Sequence, residues 1–257
     1  MSLLDKTNLL ITPNAVKSTK LYSVIPSNGT GDCTVVRNTT ATRVNSSGFV
    51  ESVAENVPRI NYNLQGSNPS VLIENQSTNF FNYSEEFNNV YWTKNNCSVL
   101  ANQLNSPANT LTADLLIENT TNSSHSFFRV GVAVNGSFTV SLFAKYYTKQ
   151  WIAINIFNGQ GNKVWFDLIN GQIGVKGNGI TATINDFSNG WYRLNLTIAA
   201  NNSSCSLALD FANSNGGGGS FLGDGISGYY IWGATFEKSS FPSSYIPTLS
   251  ASVTRNT

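Results

Sequence analysis

Charge is what this chain has least of. Lys, Arg, Asp and Glu make up 11% of its 257 residues, and 15 basic side chains against 14 acidic ones leave a formal charge of +1. No block of Lys or Arg supplies the basic footprint that phosphate-backbone binding needs, so nucleic acid is not an expected partner. Nor does any stretch reach the roughly 18 apolar residues of a membrane-spanning helix, so no membrane partner is expected. Residues 1–6 lack the basic region and apolar run of a signal peptide. Cysteine is almost as scarce. Cys33, Cys97 and Cys205 are odd in number and far apart, which excludes a disulfide framework. They read as small buried or half-buried thiols made in a reducing cytoplasm. The one histidine, His125, sits between Ser124 and Ser126 in a polar loop and reads as solvated. With no Cys/His metal spacing and no Gly-x-Ser-x-Gly elbow, neither zinc nor a nucleophilic serine is expected. The glycine run 216–219 is not followed by Lys-Ser/Thr, so it is no phosphate loop. It reads as a native loop between strands. No cofactor and no catalytic residue are expected.

What the chain does have is alternation. The stretches 138–147, 151–157, 164–168, 191–198, 205–211 and 229–237 each alternate apolar and polar residues or run apolar and aromatic. Between them stand Asn135-Gly136, Asn158-Gly159, Asn170-Gly171 and Asn189-Gly190, a pair suited to turns that require positive φ. Short strands at regular spacing with such turns indicate an all-β, antiparallel β-sandwich. Helix is limited to a turn around residues 84–87, with Ser84 as its cap.

Alternation also separates the two faces of each strand. Ile152, Ile154 and Ile156, then Val164, Phe166 and Leu168, then Tyr192, Leu194, Leu196 and Ile198 form the core set. Opposite them stand Trp151, Asn155, Trp165, Asp167, Trp191 and Arg193. Indoles that stack on the apolar face of a pyranose, beside planar polar groups that hold its hydroxyls, are what sugar recognition uses. These six residues are therefore the expected glycan-binding face. A subunit interface is the alternative use of the same tryptophans. Trp92 and Trp232 are expected in the core. For glycoside hydrolysis two carboxylates must stand close together. Asp167, Asp210 and Glu237 are the strand-borne candidates, and nothing in the sequence pairs them. Asp224, in Gly223-Asp224-Gly225, reads as a turn residue rather than a calcium ligand.

Residues 1–75 differ in texture, with no tryptophan and only short apolar runs such as 9–13 and 21–26. Strands this short do not close a core alone, so the region reads as an attachment or oligomerisation segment. Within it, the run Asp32-Cys33-Thr34-Val35-Val36-Arg37-Asn38-Thr39-Thr40-Ala41-Thr42-Arg43-Val44-Asn45, then Gly48-Phe49-Val50-Glu51, then Asn56-Val57-Pro58-Arg59-Ile60, resembles a segment of bacteriophage tail and head-fibre proteins. The blocks 71–79 and 83–94, and the ending 223–248, resemble the two ends of a jelly-roll module carried by the same proteins. Ser47-Gly48 stands where that family usually has an acidic residue before the glycine.

The resemblance implies a structural virion protein of the fibre, spike or tail-appendage type. Residues 1–75 would attach to other virion proteins, 76–250 would form a lectin-like or carbohydrate-binding-module-like jelly roll, and 251–257 a tail. It implies a homotrimer on the virion, assembled in the host cytoplasm, with host surface polysaccharide as a partner and no enzyme activity. A purely structural head or tail decoration is the alternative, and a polysaccharide-degrading enzyme a third. A short echo links the chain's ends: 252–257 resembles 34–39, both closing on Arg-Asn-Thr. The echo suggests two strands that pair.

Overall fold

The structure, a computed structural model, describes residues 4–157 and 162–257. It contains two compact units. Met1–Gln76 together with Thr254–Thr257 form one, and Ser77–Val253 the other.

In the first unit, Leu10–Lys17, Lys20–Ile25 and Cys33–Thr34 make a three-stranded antiparallel sheet. Only Leu21 of these strands is buried. Pro13, the last residue of the apolar run 9–13, lies inside a strand, where the register slips between Ile11 and Val16. A proline has no ladder hydrogen to donate, and the slip leaves it outside the regular pairing. A hairpin of Ala41–Val44 with Val50–Val53 buries Ala41, Val50 and Val53. Gly48 is required in its turn: its φ is +79°, and a Cβ there would meet the Leu64 carbonyl oxygen at 2.6 Å. Arg37 ties the loops together, donating from Nε to the Thr39 carbonyl and from its terminal nitrogens to those of Ala54 and Val57. The echoing ends do meet, though not as a ladder. Thr34 pairs with Lys20, while Asn256 donates its backbone N–H to Thr39 Oγ1 at 3.0 Å and its side chain to Asn38.

The second unit is the expected all-β antiparallel sandwich. Its main strands are β1 (Cys97–Asn105), β2 (Leu111–Glu118), β3 (Ser126–Tyr146), β4 (Trp151–Phe157), β5 (Asn162–Asp167), β6 (Gln172–Lys176), β7 (Ile180–Asp186), β8 (Trp191–Ala212) and β9 (Gly228–Glu237). They pair in the order β1-β2-β9-β3-β8-β4-β5-β6, with β7 also on β8. Two strands are far longer than alternation suggested. The segments 191–198 and 205–211 are one continuous β8, and Asn135-Gly136 is no turn. Instead Gly136, at φ +92°, sits where the β3 register slips between Val134 and Gly136. Such a bulge adds local twist and bends a strand without ending it.

The long pair thereby serves both layers. The first part of β3 pairs with the last part of β8, which also holds β4; the last part of β3 pairs with the first part of β8, which also holds β7. Ile152, Ile154, Val164 and Phe166 of one layer and Val140, Leu142, Leu196 and Phe236 of the other share one buried cluster. Each such side chain contributes about 1.5–3 kcal/mol when fully buried.

Asn189-Gly190 is a turn as expected, with φ of 51° and 76°, and Asn170-Gly171 is another. Asn158-Gly159 lies outside the described residues. Residues 84–87 are not helical. Ser84 is fully buried, its Oγ bonded to Tyr245 Oη at 2.7 Å and accepting from the Thr248 N–H at 2.9 Å. Its hydroxyl is committed to the returning chain, so it caps nothing. Trp92 and Trp232 are both buried. Trp232 packs outside the central cluster, 4.7 Å from Tyr245 and 5.3 Å from Phe143. Cys33 is exposed, contrary to expectation, and Cys97 half-buried. The Cys205 side chain lies outside those described.

Candidate functional site

The register of β4 decides which of the expected site residues share a face. Trp151 stands between Asp167 and Ala212, Ala153 between Trp165 and Asp210, and Asn155 between Lys163 and Ala208. Trp151, Asn155, Trp165 and Asp167 therefore lie together on the side of the sheet away from Ile152, Ile154 and Phe166. Trp191 and Arg193 do not join them. Trp191 is the first residue of β8, while the residue that neighbours Trp151 is Ala212, the last. Trp191 pairs with Lys145 and Arg193 with Phe143, in the other layer. Trp191 is 3% exposed and donates from Nε1 to the Asn105 carbonyl at 3.2 Å. Arg193 donates to the Ser243 carbonyl at 2.7 Å and to Ser141 Oγ at 3.0 Å.

The loop after β8 crosses the four-residue face. Trp165 donates from Nε1 to the Gly217 carbonyl at 2.5 Å. Asn215 accepts the Val175 N–H at 2.6 Å. A Cβ on Gly174 would come 2.1 Å from Asn215 Oδ1 and 2.6 Å from the Trp151 ring, so only glycine lets the loop and the indole lie this close. Trp151 and Trp165 are left half-buried. Lys163 adds its ammonium 5.4 Å from the centre of the Trp165 ring and pairs with Asp210 at 2.7 Å. Asn155 is 7% exposed, and its Oδ1 has no hydrogen-bond partner among the described residues. A buried amide oxygen left without a donor is costly, and here it lies on the same face as an indole and an ion pair.

Asp167 has a different occupation. Oδ1 accepts the N–H groups of Ile169 and Asn170, and Oδ2 accepts from the Gln150 and Asn170 amides, all within 3.0 Å. Burial pushes this carboxyl up, but the bonds from Asn170, Ile169 and Gln150 outweigh it and hold it below the usual carboxylate range. It organises the turn that follows β5.

Of the remaining candidates, Glu237 and Asp224 are held by hydrogen bonds, while neither ring nitrogen of His125 has a hydrogen-bond partner among the described residues. Glu237, in the other layer, accepts from Ser77 Oγ at 2.6 Å and the Ser243 N–H at 2.8 Å. Asp224 accepts from Ser227 Oγ at 2.6 Å and from the Ile226 and Ser227 N–H groups. The Ser227 hydroxyl above all, with those two N–H groups, brings its carboxyl down to about 2. His125 is not solvated: it is 2% exposed, 4.6 Å from the Phe221 ring. Seen from sequence, Ser-rich neighbours hid the aromatic packing that Phe211 and Phe221 supply. Among the described residues, no group of three His, Cys, Asp or Glu side chains is placed to hold a metal.

Lys163 and Asn215 were not singled out from sequence, and Asp210 only as a candidate carboxylate. Lys163 was legible, since it shares the phase of Trp165 and Asp167 along β5. Asp210 and Asn215 reach the face only through the pairing of β8 with β4 and the path of the loop.

No family model and no curated protein matches the chain. Among solved structures, it is similar to the enzymatically active domain of bacteriophage CBA120 tailspike protein 4, at 14% identity over 62% of this chain and 21% of that one, with a TM-score of 0.38. It is also similar to CBM35 from Paenibacillus barcinonensis, at 12% identity over 55% of this chain and 92% of that one, with a TM-score of 0.28. The chain thus spans about a fifth of the tailspike chain's length. Likenesses of this degree assign no activity.

Proposed function

We propose that the chain is a bacteriophage virion protein of the fibre, spike or tail-appendage type, whose sandwich binds glycans of the host surface. The virion reading rests on the Arg-Asn-Thr-rich, Asn-x-Pro-Arg and Ser-Tyr-Ile-Pro-Thr segments of the sequence. The glycan reading rests on one observation: half-buried Trp165 shares a face with the unpartnered Asn155 amide oxygen and the Lys163–Asp210 pair. A half-buried indole and a lysine–aspartate pair on one face match the mixed apolar and hydroxyl character of a sugar ring. The binding face is Trp151, Asn155, Trp165, Lys163 and Asp210; Asp167 supports it through its turn, and Trp191 and Arg193 belong elsewhere. Attachment to other virion proteins, and trimer formation, fall to Met1–Gln76, where the three-stranded sheet buries only Leu21 and leaves Tyr22 and Val24 exposed, with Leu9 and Val36 exposed beside it.

The test is binding of the purified protein to a panel of bacterial surface polysaccharides, beside Trp165→Ala and Asn155→Ala. Each variant, still folded by circular dichroism, is expected to weaken binding roughly tenfold, about 1.4 kcal/mol. Absence of binding by the wild type across the panel, or unchanged binding by both variants, would remove the glycan reading and leave structural decoration.

A further inference from the structure

Lys149 stands in the connection between β3 and β4, Glu118 is the last residue of β2, and Asn213 directly follows β8. The three side chains converge. Lys149 Nζ lies 2.9 Å from Glu118 Oε2 and 2.5 Å from the carboxamide oxygen of Asn213. The Lys149 and Glu118 side chains are only 10% and 3% exposed. The Phe221 ring covers the ammonium, its centre 4.7 Å from Nζ. Glu118 is fixed from its other side, where Oε1 accepts the Asp224 N–H at 3.3 Å. The lysine backbone is held too, since its N–H donates to the Gly228 carbonyl at 3.3 Å.

This is the layout of a self-acylating lysine. We propose that Lys149 and Asn213 join in an intramolecular amide, with Glu118 carrying the proton. A carbonyl bond is about 1.2 Å long, so the carboxamide carbon of Asn213 lies no farther than about 3.7 Å from Nζ, close to attack distance. Asn213 is exposed, but the Lys149 and Glu118 side chains are not, so moving a proton from the ammonium to Glu118 removes two largely buried charges at once. The neutral amine then attacks Cγ of Asn213. The tetrahedral intermediate collapses by breaking the Cγ–Nδ2 bond; Glu118 gives its proton to the departing nitrogen and takes up the second proton of the former amine, leaving a neutral amide and ammonia. One C–N bond forms, one breaks, ammonia leaves, and no oxidant, metal or cofactor takes part.

The geometry favours covalent closure over a plain ion pair for a structural reason as well. Trp151 pairs with Ala212, so the bond would extend the β4–β8 ladder by one covalent rung at its open end. It would tie the end of β8 to the start of β4. The proposal does not depend on the glycan site, and its test reads out separately.

The experiment is intact-mass spectrometry of the denatured full chain, with peptide mapping. The wild type is expected to be lighter than its sequence mass by one ammonia and to release a branched peptide joining the segments around Lys149 and Asn213. Lys149→Arg, Asn213→Ala and Glu118→Gln are each expected to run at full sequence mass; Glu118→Gln keeps both reactants and the side-chain shape, so it isolates the proton carrier. A wild type at full sequence mass overturns the proposal. So does ammonia loss without the branched peptide, which would report cyclisation at an Asn-Gly pair instead. The map of the wild type decides the matter even if a variant folds poorly.

Discussion

Arg59 and Arg255 meet on one oxygen, Oε2 of Glu74, with Arg59 at 2.6 Å. Both guanidiniums are almost fully buried, at 3% and 1% exposed. Arg255 also donates to the Asn75 carbonyl at 2.8 Å, and Arg59 to that of Thr42 at 3.3 Å. Arg37 lies near enough that burial first, then the charges of Arg59 and Arg255, lower its pKa below the ordinary arginine value. The Glu74 carboxylate thus faces two buried guanidiniums, and residues 254–257 belong to the same unit as residues 1–76.

Removing that carboxylate should loosen the first unit and spare the second. Glu74→Gln leaves two neighbouring guanidiniums without their shared counter-charge, at a cost of roughly 3 kcal/mol. Limited proteolysis should then cut within residues 1–76 while the tryptophan signal of the sandwich stays native. Equal resistance of variant and wild type would show that backbone carbonyls alone carry these arginines.

Asn79 uses both ends of its amide in the sandwich. It is fully buried, donates to the carbonyls of Ala234 at 3.0 Å and Ile246 at 2.8 Å, and accepts the N–H groups of Phe81 at 3.1 Å and Phe236 at 3.0 Å. Asn79→Ala would strand four backbone groups, each costing about 1–3 kcal/mol when buried and unpaired. With partial relaxation, a loss of roughly 4 kcal/mol in chemical denaturation is expected. A loss below about 1 kcal/mol would mean that those groups find other partners.

Asp224 sets an acid limit on its own turn. Its carboxyl falls from the ordinary 3.8 to about 2, chiefly through the Ser227 hydroxyl. A depressed acid stabilises the fold above its unfolded value, and that contribution fades as pH falls from about 4 through about 2. Carbon-detected NMR should place the Asp224 midpoint near 2, and Ser227→Ala should move it upward. An Asp224 midpoint near 3.8 in the wild type would contradict the hydrogen-bonded turn.

The local parts of this architecture were readable without coordinates. The strand at 151–157 has the limits its alternation suggests, and Asn189-Gly190 turns where two positive φ angles are needed. Ile152, Ile154, Phe166, Leu194 and Leu196 are in the core as expected. Each of these follows from residues a few positions apart. The exceptions are informative. The stretches 191–198 and 205–211 read as two strands, yet β8 runs through the residues between them, where Ser203 and Ser204 pair with Val134 and Ala133 of β3.

By itself the sequence determined an all-β antiparallel sandwich and the alternation of faces along 151–157, 164–168 and 191–198. Period-two alternation and turn chemistry are short-range, so one chain suffices to read them. Which outward faces become neighbours was decided only by the tertiary structure. It parted Trp191 and Arg193 from Trp151 and Trp165, drew Lys163, Asp210 and Asn215 onto the tryptophan face, and brought Glu118, Lys149 and Asn213 to one point. Those outcomes depend on the pairing of β8 with both β3 and β4, a choice settled by burial over the whole sandwich and by no single stretch of residues.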